Sequence, residues 1–326
     1  MSVDLRELPK ARLEFVKPML AKPVDNLPSG ADWVYELKLD GYRALLMKKR
    51  AAVTLFSRRG NNLNARFPTI ARAFSFLEDN TIVDGELVML DENGIPSFSA
   101  LQHLRFPPET LYFYAFDLLA YKGKDLRKLA LVERRSLLEG SALKGLRDPV
   151  RLSAVFEASP RQLIAAAKKT GLEGVIGKRA SSRYESGERS GAWVKYKTNK
   201  GQELVIGGYK PEPNGFDYLL VGYYEGKDLI FIAKVRNGFT SALRREVAQN
   251  FPRLRTSQCP FANLPEPASA RRGEAITAEV MPKIQWLRPK LVAQIEFTEW
   301  TKGNHLRHSR FIALRDDKDP SAVKRE

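Results

Sequence analysis

The chain has 326 residues and a formal net charge of +16, from 54 Lys and Arg against 38 Asp and Glu. Hydrophobic residues make up 43%, which excludes a mostly disordered chain, and no apolar run approaches the ~20 residues that span a bilayer. A single cysteine, Cys259, excludes a disulfide framework, so we expect a cytoplasmic protein of two domains with no membrane partner.

The first 200 residues predict strands interleaved with helices. Helices are expected over Arg66–Leu77 and Lys128–Glu139, and Ser159-Pro160 is typical of the start of a third, over Arg161–Thr170. Several strands follow one another closely enough to be hairpin partners, which favours an α+β fold with antiparallel sheets and flanking helices. The predicted strands are Trp33–Asp40, Arg43–Lys49, Val53–Phe56, Thr81–Leu90, Leu111–Leu118, Glu173–Lys178 and Trp193–Tyr196.

A polar link over residues 198–201 separates this region from a second pattern of strands. Five short strands with one helix after the third, Ser241–Asn250, favour a five-stranded OB-fold barrel, although spacing alone does not exclude another small barrel. The Pro-rich residues 252–275 predict a long loop. We therefore expect one domain over residues 1–200 and an OB-fold domain over 201–326. The five predicted strands are Leu204–Tyr209, Tyr218–Tyr224, Leu229–Val235, Ile276–Val280 and Leu291–Thr298.

The positive charge is densest between Asp40 and Glu78, where the sequence has no acidic residue. Such a stretch attracts polyanions through phosphate contacts and counterion release, but a basic face kept for solubility has the same composition. Both interpretations stay open on composition alone. The eight bases are Arg43, Lys48, Lys49, Arg50, Arg58, Arg59, Arg66 and Arg72.

The first predicted strand carries the most informative pattern. Side chains alternate between the two faces of a strand, so Glu36, Lys38 and Asp40 share one face, while Tyr35 and Leu37 point to a core. Taken alone, this pattern is more typical of an ordinary half-exposed strand than of a site.

Four further strands add groups that would suit a nucleotide. Lys195 and Lys197 share a face, where an anion would relieve their repulsion. Asp84, Glu86 and Glu173 are carboxylates of the kind that bind Mg²⁺ together with phosphate oxygens. The aromatic run 112–117 would be mostly core, with one ring free to stack on a base. Together these residues would let a lysine attack an α-phosphate, with Arg43, Lys195, Lys197 and the metal lowering the pKa of Lys38.

The motif Lys38-Leu39-Asp40-Gly41-Tyr42-Arg43 resembles the Lys-x-Asp-Gly-x-Arg signature of ATP-dependent DNA ligases and related covalent nucleotidyltransferases. The other blocks follow in family order, and the whole set spans residues 33 to 318. The chain is most similar to the ligase module of bacterial end-joining ligases. One departure is Arg59, where many relatives have Asn. The further blocks are Ser57-Arg58-Arg59-Gly60, Asp84-Gly85-Glu86, Phe116-Asp117, Glu173-Gly174-Val175-Ile176, Trp193-Val194-Lys195-Tyr196-Lys197 and Arg315-Asp316-Asp317-Lys318.

The resemblance implies that Lys38 takes AMP as a phosphoramidate and that Phe116 stacks on adenine. It implies that Glu173 and Glu86 hold Mg²⁺ or Mn²⁺. The other implied ATP-binding residues are Glu36 and Leu37 at the base edge, Arg43 and Glu86 at the ribose, Arg58 at the nucleotide or the DNA 5′-phosphate, Lys195 and Lys197 at the α-phosphate, and Arg315, Asp317 and Lys318, which orient the pyrophosphate.

The implied reaction is ATP-dependent sealing of 5′-phosphate/3′-hydroxyl breaks in duplex DNA through a lysyl-AMP and a DNA-adenylate. The resemblance further implies a monomer at the bacterial or archaeal nucleoid, acting on nicks or ends, with a Ku-type end-binding protein as partner. An RNA ligase or a capping-type nucleotidyltransferase is an alternative of the same superfamily. A non-catalytic DNA-end-binding module is the alternative of another class, against which the intact Lys38 argues.

Overall fold

The computed structural model describes residues 3–104, 108–198, 201–213, 215–267, 275–301 and 303–325. The chain divides into two compact units, Met1–Thr198 and Asn199–Glu326, called unit 1 and unit 2 below. In the described residues no helix is both long and apolar enough to cross a membrane.

Unit 1 follows the predicted alternation of strands and helices. Each predicted strand is present, with ends that differ by a few residues. The helix expected over Arg66–Leu77 is shorter, at Pro68–Ala73, and the one expected over Lys128–Glu139 begins at Leu131. The strands are β1 (Lys22–Pro23), β2 (Trp33–Lys38), β3 (Tyr42–Lys49), β4 (Ala52–Ser57), β5 (Thr81–Met89), β6 (Leu111–Tyr121), β7 (Lys124–Asp125), β8 (Val150–Leu152), β9 (Val155–Phe156), β10 (Gly174–Arg179) and β11 (Trp193–Lys197); the helices are α1 (Pro68–Ala73), α2 (Phe98–His103), α3 (Leu131–Leu137) and α4 (Pro160–Lys169).

Two largely antiparallel sheets form the body of unit 1. Sheet A has the order β4-β3-β5-β6-β7, with β8 paired to β6, and sheet B has the order β1-β11-β10-β2-β9. Leu45 and Phe116 of sheet A and Trp193 of sheet B belong to one buried cluster, so the inner faces of the two sheets meet there. The other face of sheet B packs on α4 through Leu163 and Ala167.

Helix α4 begins where the sequence predicts. Ser159 and Gln162 form a reciprocal capping box, and Pro160 occupies the first turn, where its missing N–H costs nothing. Its buried residues Leu163 and Ala167 are four apart and therefore lie on one helix face.

In its described residues, unit 2 is built on five main strands and one α-helix of 8 residues. Strand β12 (Gly201–Glu212) pairs with β13 (Gly215–Glu225) and β16 (Gln285–Glu296). Strand β13 pairs with β14 (Asp228–Val235), and β16 pairs with β19 (Arg310–Leu314), all antiparallel. A parallel bridge between Asn237 and Arg310 brings the end of β14 to β19. The elements are β12 (Gly201–Glu212), β13 (Gly215–Glu225), β14 (Asp228–Val235), α5 (Ser241–Ala248), β15 (Arg255–Thr256), β16 (Gln285–Glu296), β17 (Glu299–Trp300), β18 (Leu306–Arg307) and β19 (Arg310–Leu314).

The predicted fold class is confirmed, but one strand of unit 2 was wrongly placed and another was located only in part. The strand predicted over Ile276–Val280 is irregular chain and a turn, and Leu291–Thr298 largely covers the second half of the fourth main strand, β16. Ile276 is apolar because it is fully buried in the core, while its backbone exchanges hydrogen bonds with Glu266. The fifth main strand is β19.

Candidate active site

Lys38 ends β2 on the inner face of sheet B. Its neighbour across the sheet is Gly174 of β10, and the preceding residue, Glu173, accepts a short hydrogen bond from the Lys38 ammonium. Gly174 has to be a glycine, since a Cβ there would lie 1.9 Å from the carbonyl oxygen of Tyr196. A Cβ on Gly41 would likewise lie 2.1 Å from the carbonyl oxygen of Leu87. Both glycines thus allow the close backbone approaches that frame Lys38.

The carboxylates around Lys38 decide its protonation. Burial is the largest effect and by itself lowers the pKa of Lys38, but Glu173, Asp40 and Glu86 outweigh it, so the pKa is raised. The expected lowering of this pKa by Arg43, Lys195 and Lys197 is therefore wrong. The physical reason is that the ammonium is hydrogen-bonded to one carboxylate and lies near two more.

Arg43 is held by a carboxylate that was predicted only as a potential metal ligand. Its Nε and Nη2 donate to the two oxygens of the fully buried Asp84 at 2.6 Å each. The Tyr184 hydroxyl donates to the same carboxylate at 2.6 Å. Burial, the largest effect, lowers the pKa of Arg43, but Asp84 outweighs it and the pKa is raised. Glu86, the other implied ribose ligand, lies directly opposite Arg43 in the β3–β5 pair.

Glu36 lies on the same face of β2 as Lys38 and is 2% exposed, which contradicts the simple expectation of a half-exposed strand. Its Oε1 accepts from Lys178 Nζ at 2.6 Å and from Arg135 Nη1 at 3.1 Å. Its Oε2 accepts from Ser153 Oγ at 2.7 Å. A carboxylate offers about four lone-pair sites, so one acceptor site on Oε2 remains in addition to these three donors.

The Phe116 ring lies in the buried cluster between the two sheets of unit 1. It is 8% exposed, and Lys178 Nζ lies 4.2 Å and the Arg43 guanidinium carbon 4.5 Å from the ring centroid. Burial is the main reason that the pKa of Lys178 is lowered, against the opposing effect of Glu36. Trp193 packs edge-on against Phe116 at 6.2 Å.

Trp193 supplies an unused donor beside this ring. Its indole Nε1 is one of two buried side-chain polar atoms in the described residues that have no hydrogen-bond partner. A buried donor without a partner costs about 1–3 kcal/mol. An acceptor atom of a bound nucleotide would satisfy it.

The two lysines of β11 lie where the alternation predicts. Lys195 is opposite Ile176 and Lys197 is opposite Gly174, so both share the inner face with Lys38. Leu37 points the other way and lines a cavity of about 390 Å³ with Leu39 and Phe156. Its side chain is therefore not on the Lys38 face, and only its backbone could serve a nucleotide there.

Arg58 and Arg59 lie in the turn after β4. The Ser57 hydroxyl accepts hydrogen bonds from the backbone N–H groups of Arg59 at 3.3 Å and Asn61 at 3.1 Å. The backbone of this turn is thus held by Ser57, and Arg59, in place of the usual Asn, takes part through its backbone.

The carboxylates of unit 1 would suit a hard divalent cation that takes only one or two ligands from the protein. Within the described part of the chain, no three His, Cys, Asp or Glu side chains form a complete metal cage. Mg²⁺ usually takes only one or two carboxylates and completes its shell with water and substrate phosphates. Glu173 and Glu86, which both act on Lys38, fit that pattern.

The C-terminal motif forms its own ion pairs in unit 2. Arg315 Nε and Nη2 donate to the two oxygens of Asp317 at 2.8 Å each, and Lys318 pairs with Glu203 at 2.9 Å. Burial is the largest effect on Asp317 and raises its pKa, but Arg315 outweighs it, so the pKa is lowered.

Sequence reasoning gave no role to Lys178, Arg135, Ser153 or Tyr184. Lys178 and Tyr184 join carboxylates that are 142 and 100 residues away in sequence. For Lys178 a signal did exist, because it shares the alternation of β10 with Ile176. Tyr184 lies in irregular chain and had no such signal.

Comparisons with known proteins identify the family of the chain. Residues 18–197 match the family model described as ATP dependent DNA ligase domain, and residues 212–318 match ATP dependent DNA ligase C terminal region. The multifunctional non-homologous end joining protein LigD of Pseudomonas aeruginosa is 38% identical over 320 residues, which cover 95% of this chain and 36% of that protein. The chain thus spans well under two thirds of the length of that relative.

Two further proteins match over nearly their whole length. DNA ligase C2 of Mycolicibacterium smegmatis is 30% identical over 347 residues, covering 97% of this chain and 94% of that protein. The solved structure of mycobacterial DNA ligase D complexed with ATP and MES is 34% identical, with a TM-score of 0.69, and covers 95% of this chain and 98% of that one.

Proposed function

Because the chain belongs to the ATP-dependent DNA ligases, we propose that it seals 5′-phosphate/3′-hydroxyl breaks in duplex DNA through a lysyl-AMP on Lys38. The observation that carries the proposal is the inner face of sheet B, where Lys38 shares one surface with Glu36 and Lys195 opposite the Phe116 ring. A nucleophile, a base-edge acceptor, a phosphate-binding cation and an aromatic ring are the groups that nucleotidyl transfer needs.

In the proposed mechanism, Lys38 loses one proton to solvent, and its Nζ then attacks the α-phosphorus of ATP in line with the leaving pyrophosphate. The Nζ–P bond forms as the P–O bond to pyrophosphate breaks. Lys195 and Lys197 stabilise charge on the α-phosphate. Glu173 and Glu86 would hold a divalent metal, which would supply further positive charge for the phosphates. The AMP then passes to a DNA 5′-phosphate, and the 3′-hydroxyl displaces it.

The remaining proposed roles are divided between unit 1 and unit 2. We assign unit 1, with a boundary near residue 200, to adenylation, and unit 2 to an OB-fold domain. Phe116 stacks on adenine, Glu36 and the backbone of Leu37 serve the base edge, and Trp193 Nε1 donates to the nucleotide. The roles kept from the family resemblance are Arg43 and Glu86 at the ribose, Arg58 at nucleotide or DNA phosphate, and Arg315, Asp317 and Lys318 at the pyrophosphate.

The decisive experiment uses labelled ATP with Mg²⁺, and in parallel Mn²⁺. The wild-type protein should form a covalent AMP adduct and then seal a nicked DNA duplex. Lys38→Ala should form no adduct, whereas the matched Lys49→Ala, an exposed lysine on β3, should form it normally. If the wild-type protein forms no adduct, the proposal that it is an enzyme is rejected. Adduct formation with sealing of nicked RNA alone, or labelling by GTP, would instead indicate the RNA-ligase or capping alternative.

We also propose that the protein acts as a monomer in the cytoplasm, at the nucleoid, on DNA ends presented by a Ku-type protein. End joining is named in the LigD relatives, and the net charge of +16 suits a nucleic-acid partner. Sealing of cohesive-ended linear DNA, with and without the Ku-type protein, tests this partner. Equal rates in both reactions would reject it.

A further inference from the structure

Tyr184 is buried beside the proposed ribose site, although it lies in irregular chain between β10 and β11. Its hydroxyl donates to Oδ2 of Asp84 at 2.6 Å and accepts a hydrogen bond from the backbone N–H of Met19 at 3.0 Å. Its ring packs edge-on against Trp193 at 5.7 Å. Tyr184 thus joins β5, β11 and the segment before β1, which are far apart in sequence.

The Tyr184 hydroxyl keeps its proton in this environment. Burial, the largest effect, and the Asp84 carboxylate raise the pKa of Tyr184 well above its usual range, against the opposing effect of Arg43. A backbone N–H can only donate and a carboxylate can only accept, so the hydroxyl accepts from Met19 and donates to Asp84. The direction of both hydrogen bonds is therefore fixed.

The Asp84 carboxylate receives three donors from two side chains. Arg43 Nε donates to Oδ1 and Arg43 Nη2 to Oδ2, and Tyr184 also donates to Oδ2. In the β3–β5 pair Asp84 lies opposite Leu45, so Arg43 forms its bidentate pair with Asp84 and not with Glu86, the carboxylate directly opposite it. Because the terminal torsion of an Asp side chain has only broad preferences, the donor from Tyr184 restrains the plane of the carboxylate that orients Arg43.

The bidentate pair leaves one edge of the Arg43 guanidinium for a ligand. Its Nη2 also lies 3.5 Å from the carbonyl oxygen of Met19, but among the described residues its Nη1 has no hydrogen-bond partner. The side chain is 20% exposed, so a ligand can reach it. The guanidinium carbon lies 4.5 Å from the centroid of Phe116, the ring that the proposed function assigns to adenine. Since the ribose is bonded to the base, a donor this close to the stacking ring is within reach of a ribose hydroxyl.

We propose that Tyr184 is a positioning residue that acts through Asp84: it fixes the Arg43 guanidinium so that Nη1 donates to a ribose hydroxyl of ATP, and it thereby contributes to the preference for a ribonucleotide. The inference rests on the proposed function, in which Arg43 serves the ribose. Small displacements of a group that positions a substrate reduce reaction rates strongly, so a residue that only orients Arg43 has a measurable effect.

The test measures kcat/KM of adduct formation with ATP, 2′-deoxy-ATP and 3′-deoxy-ATP. The ratio for two nucleotides on one protein sample does not depend on the folded fraction, so a partial loss of stability leaves it unchanged. Tyr184→Phe keeps the ring and removes the hydroxyl, and it should lower the preference for ATP over one deoxy analogue by about threefold to tenfold, the effect of about one hydrogen bond. Tyr35→Phe removes another hydroxyl of unit 1, which donates to the carbonyl oxygen of Pro28 at 2.6 Å, and should keep the wild-type preference.

A double-variant cycle tests whether Tyr184 acts through Arg43. Arg43→Lys lacks the guanidinium fork and should lower the same preference, and Tyr184→Phe added to Arg43→Lys should lower it no further. An unchanged preference in Tyr184→Phe, with equal losses for all three nucleotides, is the result of a merely structural role and would overturn the proposal. A wild type with no preference for ATP, or a further loss in the double variant, would also overturn it. Failure of the proposed function is distinguishable, because the wild type would then form no adduct with any of the three nucleotides.

Discussion

Glu36→Gln removes the charge from a carboxylate that three buried donors hold. Lys178 and Arg135 donate to Oε1 at 2.6 and 3.1 Å, and Ser153 donates to Oε2 at 2.7 Å. In the proposed function the remaining acceptor site of Oε2 takes a hydrogen bond from the 6-amino group of adenine. Guanine has an oxygen at that position, which cannot donate and is repelled by the carboxylate.

The substitution has a cost in stability that the structure allows us to estimate. Removing one partner of a buried ion pair leaves the other charge unpaired and typically costs about 3–5 kcal/mol, a large share of a total of about 5–15 kcal/mol. Arg135 keeps acceptors in Glu139 and the carbonyl oxygen of Ser153. Lys178 loses the carboxylate that it pairs with, so Glu36→Gln with Lys178→Met should recover most of the lost free energy of unfolding.

The preference for ATP over GTP should respond to these two substitutions differently from the free energy of unfolding. A hydrogen bond to a charged group contributes about 1.5–3 kcal/mol, which corresponds to about tenfold to hundredfold in rate. Glu36→Gln should therefore reduce the preference for ATP over GTP in adduct formation by about that factor, since an amide can turn its NH₂ group toward the guanine oxygen. Adding Lys178→Met should not restore the preference.

The assay compares adduct formation with labelled ATP and GTP under kcat/KM conditions, alongside urea unfolding followed by tryptophan fluorescence. The two readouts must separate: stability recovers in the double variant and selectivity does not. A Glu36→Gln protein with unchanged ATP preference would refute the role of Glu36 at the base edge. A double variant that is no more stable than Glu36→Gln would refute the assignment of the stability cost to unpaired Lys178.

Three further predictions concern groups away from the base. Arg134→Met should destabilise unit 1 by about 3–5 kcal/mol in urea unfolding, because it leaves the fully buried Asp117 without its bidentate partner; a loss below about 1 kcal/mol would contradict this. Lys318→Ala should slow adduct formation more than sealing of a pre-adenylated nick in single-turnover assays, and equal losses would reject its role at the pyrophosphate. Because the folded state lowers the pKa of Asp317, its stabilisation is complete above the unfolded pKa of about 3.9 and is lost as pH falls through the lower folded value. In acid unfolding, Asp317→Asn should thus lose less stability than the wild type over that window, and parallel curves would contradict this.

The fold could be predicted from the sequence where a local pattern decides the structure. Alternation and turn residues located β2, β10 and β11, and the Ser159-Pro160 pair located the start of α4. The method failed at Ile276, whose apolar character reflects burial of an irregular segment. It also missed β19, since five residues with one exposed end carry too short a pattern to stand out. Apolar residues in a sequence indicate burial, and irregular segments can be buried as well as strands.

The sequence predicted which side chains of the site share a strand face, but not which of them form hydrogen bonds or ion pairs with one another. Alternation placed Glu36 with Lys38, and Lys195 with Lys197. It could not show that Glu36 is neutralised by Lys178, since that pairing depends on the register between β2 and β10 and on burial between the two sheets.

The raised pKa of Lys38 changes how the proposed reaction has to begin. A protonated lysine has no lone pair for the α-phosphorus, and the carboxylate of Glu173 stabilises the protonated form. Glu173 is also the main carboxylate assigned to the metal, and it cannot fully serve a cation and the Lys38 ammonium at once. In the proposed function, a metal held by Glu173 would compete with Lys38 for that carboxylate. Loss of the Glu173 interaction would remove the largest effect that raises the pKa of Lys38 and would leave burial to lower it.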